Sequence, residues 1–351
     1  MYRKLLFRVG VSALFCLVSV GAAPSEAAQA AGATPPSTKP AASANSAPKP
    51  LYSAARARSR REALARARAL ATAREVADTV VPRYKVDASG ELVPDIRAAA
   101  AIIYNPGTGQ VVWEENSQTQ RSIASITKVM TATVFLEDNP DLTQPVTVAR
   151  TDVRAASTTF LRANDKVTTG DLLHLLLIAS DNAAARALAR VSPQGSEGFV
   201  VRMNEKAAEL GLVNTQYADP SGLLSDNVSS AFDMARLISM ASADERISSI
   251  MRLQDYTVYA AKRTITFRST DHLLGRDDID VLAAKTGFIS KSGYCLATLL
   301  RLPQSGAQVA VVVLGARSNA GRFVETQNLF TWLSSKASTI FATATKTPTD
   351  H

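Results

Sequence analysis

Two serine hydroxyls, two ammonium groups and a carboxamide stand in three short motifs: Ser125-Ile126-Thr127-Lys128, Ser180-Asp181-Asn182 and Lys285-Thr286-Gly287. A serine one helical turn before a lysine can pass its proton to that lysine and attack a carbonyl, so acyl transfer is possible without histidine. The chain has only His174, His272 and His351, which is compatible with that scheme. Alone, each motif is weak. The first can be an ordinary N-cap serine with a solvated lysine, the second can simply cap a helix, and the third can be an exposed strand residue before a bulge glycine. Their order, their separation (55 residues from Ser125 to Ser180, 105 from Ser180 to Lys285) and the elements around them argue for one shared site.

Each motif falls where such chemistry needs it. Ile126, Val129, Met130, Val134 and Phe135 recur at helical spacing until Glu137-Asp138-Asn139-Pro140 ends the run, so Ser125 and Lys128 share a helix face. A serine in the first turn also lies at the positive end of the helix dipole, which favours a developing oxyanion. A lysine titrating near ~10.4 is a poor base unless burial or a second cation lowers its pKa, and Lys285 is the cation expected to do so. GDLLHLLLIA (170–179) and NAAARALARV (182–191) read as two helices with Ser180-Asp181-Asn182 in the turn between them. The stretch 279–302 is strand-like and, after a turn at 303–306, pairs with the apolar run 308–315 as an antiparallel hairpin. Lys285 and Thr286 on an edge strand, with Gly287 allowing close approach, could hold a substrate carboxylate beside the scissile bond.

With these motifs the chain resembles the low-molecular-mass penicillin-binding proteins, which are serine D-alanyl-D-alanine peptidases. The likeness runs from about Ala98 to about Ser335 and includes AIIYNPGTGQ (101–110), RSIASITKVMTAT (121–133), DPSGLLSDNVSSAFDMARL (219–237) and GARSNAGRFVETQNLFTWL (315–333). The resemblance implies that Ser125 carries the acyl group, Lys128 takes its proton and Ser180 relays a proton to the leaving amine. It further implies that Asn182 holds the substrate amide, that Lys285, Thr286 and Gly287 bind the terminal carboxylate and backbone, and that the N–H groups of Ser125 and Phe288 form the oxyanion hole. Peptidoglycan peptides are the implied substrates and β-lactams the implied inhibitors, with no cofactor or metal. The implied fold is α+β and β-lactamase/transpeptidase-like: an antiparallel sheet flanked by helices, with an inserted helical subdomain. The order of elements (a hairpin, a helix-rich middle, a second hairpin, a closing helix at 322–337) points the same way.

Other catalytic schemes fit poorly. There is no Gly-x-Ser-x-Gly elbow and no His-Glu-x-x-His, and His174 on an apolar helix reads as a packed residue. Class A β-lactamases share all three motifs but carry a Glu-x-x-Leu-Asn stretch between the last two, which is missing here. The polar end and the lack of room for a further domain resemble the shorter, endopeptidase-like branch of the family. Carboxypeptidase activity, a class A-like β-lactamase and a weakly active peptidoglycan-binding scaffold remain the alternatives.

Arg3, Lys4 and Arg8 followed by the apolar run 9–23 read as a secretory signal peptide (1–30), placing the protein in the periplasm or cell envelope. Residues 31–85 read as a disordered Ala/Pro/Ser linker and an arginine-rich segment, 86–340 as the peptidase domain and 341–351 as a disordered tail. Cleavage would leave Cys295 as the only cysteine, so no internal disulfide can form. The net charge of +8 is local: residues 1–85 hold 14 Lys+Arg against 4 Asp+Glu, the remainder 25 against 27. A nucleic-acid partner is therefore not expected. The arginines are either a solvated spacer or a contact to anionic envelope polymers.

Overall fold

Strands that are apolar on both faces fix the centre of the fold. In the computed structural model, which describes residues 51–303 and 305–342, β1 (Ala100–Asn105), β2 (Gln110–Glu115), β3 (Asp280–Ile289), β4 (Gly293–Arg301) and β5 (Gln308–Ala316) form one sheet. Its order is β3-β4-β5-β1-β2, antiparallel throughout, so β3 is an edge. Six helices matter to the site: α1 (Thr127–Leu136), α2 (Thr169–Leu177), α3 (Asn182–Val191), α4 (Gly195–Glu209), α5 (Ala231–Ala241) and α6 (Asn319–Ala342). Along β5, Val309, Val311 and Val313 pack with Phe323, Leu329 and Leu333 of α6. Ala310, Val312 and Leu314 pack into the opposite cluster with Met234, Ala235 and Ile238 of α5. A two-residue period covered on both sides gives the unbroken apolar run seen in the sequence.

Nearly every side chain of α1 is buried, because α2, α3, α4 and α5 all pack against it. Lys128 is thereby carried into the interior. The fold is the expected α+β arrangement, with differences in detail. The stretch 279–302 is two strands, β3 and β4, since Ser292 Oγ accepts the Ile289 N–H at 3.0 Å and Gly293 adopts φ +68° to reverse the chain. The closing helix starts at Asn319 and reaches Ala342. The middle region also contains a hairpin, Asp255–Ala260 paired with Arg263–Arg268, whose alternating Val258, Ile265 and Phe267 are buried.

The expected signal peptide, linker residues 31–50 and the tail from 343 lie outside the described residues. The arginine-rich segment is a helix, Leu51–Val80, as its alanine content favours, and Arg58, Arg60, Arg61, Arg66 and Arg68 are exposed. Paired structure resumes at Tyr84–Val86 against Leu92–Pro94, beside an ion pair of Arg83 and Asp95 at 2.7 Å, slightly ahead of residue 86.

Candidate active site

Ser125 lies in a single 3-10 turn, Ala124–Ile126, that leads into α1. The turn is held by the loop from Asp219. The Asp219 carboxylate accepts the N–H groups of Ser221, Gly222 and Leu224 at 2.6, 2.8 and 2.7 Å, the Ser221 hydroxyl at 2.5 Å and the Asn227 amide at 2.9 Å. Burial opposes ionisation of Asp219, but the Ser221 hydroxyl and these N–H donors hold its carboxyl below the usual range. Gly222, at φ +79°, presses so closely on the turn that a Cβ there would stand 2.1 Å from the Ala124 carbonyl oxygen.

Lys128 is fully buried. Its ammonium donates to Ser125 Oγ at 2.9 Å, Asn182 Oδ1 at 2.6 Å and the Ser221 carbonyl at 2.5 Å, one acceptor for each proton. Burial lowers its pKa to about 7, against Asp181 and Asp219, which favour its charge. Burial is the largest cause, and the Arg186 charge acts in the same direction. Lys285 is held well below its ordinary value by burial, then by Lys128 and Arg322, and the repulsion between the two lysines is mutual, as the sequence suggested.

In the turn between α2 and α3, Ser180 adopts φ +58°, uncommon for a non-glycine residue. Asp181 anchors it: its carboxylate caps α3 through the Ala184 N–H at 2.9 Å and accepts the Phe160 N–H at 2.6 Å and the Thr159 hydroxyl. Capping by Asp181 leaves its neighbours for the cleft. Lys285 Nζ donates to Ser180 Oγ at 2.9 Å, and Asn182 spans from Lys128 to the Ala156 carbonyl, 2.7 Å from its amide nitrogen. On β3 a Cβ at Gly287 would lie 2.6 Å from the Ile123 carbonyl oxygen, so only glycine lets the edge strand come this close to the Ser125 turn. Ser125, Ser180, Asn182, Thr286 and Gly287 line one cleft of about 460 Å3, and both lysines reach its serines by hydrogen bonds from below. No carboxylate lines it among the described residues.

The family model described as D-alanyl-D-alanine carboxypeptidase matches residues 87–318. The chain belongs to this family. It is 32% identical over 244 residues to a D-alanyl-D-alanine endopeptidase of Escherichia coli K12, covering 68% of this chain and 78% of that one. A D-alanyl-D-alanine endopeptidase of Pseudomonas aeruginosa is 32% identical over 259 residues (73% and 83%). Among solved structures, the Streptomyces K15 DD-transpeptidase superposes with a TM-score of 0.64 at 29% identity, covering 68% of this chain and 97% of that one.

Further residues that the motifs did not announce surround the cleft of this peptidase. Asp219, Ser221 and Gly222 were visible only as part of the family-like stretch, although Asp-Pro-Ser-Gly is turn chemistry. Thr270, whose hydroxyl lies 2.6 Å from that of Thr286, and Arg322, which donates to the carbonyls of Gly287 at 3.0 Å and Cys295 at 3.1 Å, carry no local signal. Burial brings Arg322 down to about 10. His174 packs outside the cleft, stacked on Tyr256 at 3.8 Å with Nδ1 2.7 Å from the Gly170 carbonyl.

Proposed function

We propose that this serine peptidase hydrolyses D-alanyl bonds in peptidoglycan peptides through an acyl-enzyme on Ser125, and that cross-links are its main substrates. The observation carrying this reading is a fully buried lysine whose nitrogen lies 2.9 Å from a serine oxygen at the head of a helix, burial lowering its pKa to about 7. As the amine, Lys128 takes the Ser125 proton while Oγ attacks the carbonyl carbon. The N–H groups of Ser125 and Phe288 receive the oxyanion, Ser180 hands a proton to the departing amine, and Asn182 holds the substrate amide. Lys285, Thr286 and Gly287 bind the free carboxylate and backbone along the β3 edge. With no carboxylate on the cleft wall among the described residues, the deacylating water relies on the same lysine and serines, which speaks against the class A β-lactamase reading. The endopeptidase assignment is supported by the relatives bearing that name. Labelled β-lactam should attach covalently to the protein and not to Ser125→Ala; a labelled variant would overturn the reading. Purified cross-linked muropeptides should be split into monomers, whereas loss of terminal D-alanine alone would make the enzyme a carboxypeptidase.

Export to the envelope belongs to the same reading, with residues 1–30 as signal peptide and 86–340 as the catalytic domain. The exposed arginines of helix Leu51–Val80 are proposed to contact anionic envelope polymers by screened, non-specific attraction.

A further inference from the structure

Residues 269–271 cross from the middle hairpin to the back of β3. Thr270 ties this crossing to two motifs at once. Its N–H donates to the Ile178 carbonyl at 3.1 Å, two residues before Ser180, and its hydroxyl meets that of Thr286. The next residue, Asp271, is 6% exposed. Its Oδ1 accepts the Leu273 N–H at 3.0 Å, while Oδ2 is buried without a partner. Nε of Arg322, within electrostatic range of that carboxylate, is likewise buried without a partner. Behind Asp271 lies a polar cavity of about 250 Å3 that Gln254, Asp255, Arg268 and Ser269 also line.

The charges facing Lys285 come from three elements: Lys128 on α1, Arg322 on α6 and Asp271 on the crossing. Asp271 faces His272 as well as Lys285 and Arg322, and Arg322 also faces Tyr294 and Cys295 on β4. Among the charges acting on Lys285, one acid therefore stands among basic groups.

We propose that Asp271 is a positioning residue of the reaction, its buried carboxylate being the counter-charge that keeps Lys285 and Arg322 ready to receive the substrate's free carboxylate. This rests on the peptidase reading above. With Lys285 protonated, it and Arg322 are two cations beside the Asp271 anion, and an arriving carboxylate matches the charge left over. Burial raises the Asp271 carboxyl and lowers Lys285, so the incoming anion draws a proton onto the lysine. With asparagine at 271 that proton is harder to place, and the carboxylate is lost from the site at a lower pH.

The test measures KM against pH for the full chain on a diacyl-Lys-D-Ala-D-Ala peptide and on its C-terminal amide. In the wild type KM for the acid should climb as pH rises. In Asp271→Asn the climb should begin at a lower pH, giving a KM raised roughly tenfold within that window with kcat little changed. The amide profile should not move, and Asp271→Glu, its extra methylene taken up by the rear cavity, should restore the wild-type curve. Superimposed acid curves, or an equal shift for the amide, would overturn the inference while leaving the peptidase reading intact. A wild type inactive at every pH on both the peptide and cross-linked muropeptides would overturn that reading and this inference with it. Where only muropeptides are cut, the same comparison of KM against pH on them decides. Should the asparagine variant fail to fold by circular dichroism, the glutamate variant decides: a curve matching the wild type supports the role, and a shifted one overturns it.

Discussion

The helical wall of the cleft and its strand wall each bury a lysine, and they treat it differently. Lys128 has three fixed acceptors and two nearby carboxylates, Asp181 and Asp219, both anchored by backbone N–H groups. Lys285 has two acceptors, Ser180 Oγ and the Thr286 carbonyl at 3.0 Å, and its charged neighbours are mostly cations. The first setting supports both states of a lysine, as the proposed proton transfer from Ser125 requires. The second has a single acid, Asp271, against two cations, and a substrate carboxylate would add the negative charge it is short of. Residue type alone therefore does not assign the role; the count of acceptors and the sign of the neighbours do.

Exchanging each lysine for arginine should expose the difference most sharply. Arginine cannot serve as a base near neutral pH, so Lys128→Arg should lower acylation by at least about a hundredfold. Lys285→Arg keeps a cation for the carboxylate and should lose about tenfold or less, mostly in KM. Equal losses, with both variants folded by circular dichroism, would erase the distinction. The wild-type pH dependence has a definite sign. The amine form of Lys128 exists above about 7, so kcat/KM should rise with pH through that value. An unfolded lysine titrates near 10.5, so between about 7 and 10.5 the unfolded chain holds the extra proton. Stability should therefore rise with pH there, by up to about 1.4 kcal/mol per unit for this group, and lose that slope in Lys128→Met.

The two walls also differ in how far the sequence announces them. The pair Ser125 and Lys128 lies on one helix, and the helix period alone makes them neighbours. The sheet was legible as hairpins, yet 279–302 hid a reversal because Ser290-Lys291-Ser292 lacks the usual two-residue turn signal before Gly293. Arg322 and Asp271 come within electrostatic range of Lys285 only through tertiary packing, which no local spacing records. Gly222 is intermediate: its turn is readable, but its contact with Ala124 is not. Gly222→Ala forces a methyl group against the Ala124 carbonyl at positive φ. The fold should lose about 1–3 kcal/mol. Acylation should fall by up to about a hundredfold through displacement of Ser125, with little change at the strand wall. Wild-type acylation kinetics with a β-lactam would show that this contact does not position the nucleophile.

The smallest effect on chemistry should come from removing the arginine-rich helix. Nearly all the excess positive charge lies before Asp87, while the residues from 86 onward hold 25 Lys+Arg against 27 Asp+Glu. The structure moves the sensible cut slightly earlier than that charge boundary, because Arg83 pairs with Asp95 and Tyr84–Val86 forms a hairpin with Leu92–Pro94. A chain beginning at Val81 keeps both. It should hydrolyse a small D-Ala-D-Ala peptide at the full-length rate and bind intact sacculi less well at low salt. That binding gap should close as the Debye length falls from about 10 Å at 0.1 M to about 3 Å at 1 M, since attraction between exposed charges is what is lost. If the truncated chain stays folded but cannot cleave the small peptide, the helix takes part in the reaction, and the separation between catalytic walls and arginine-rich tether fails.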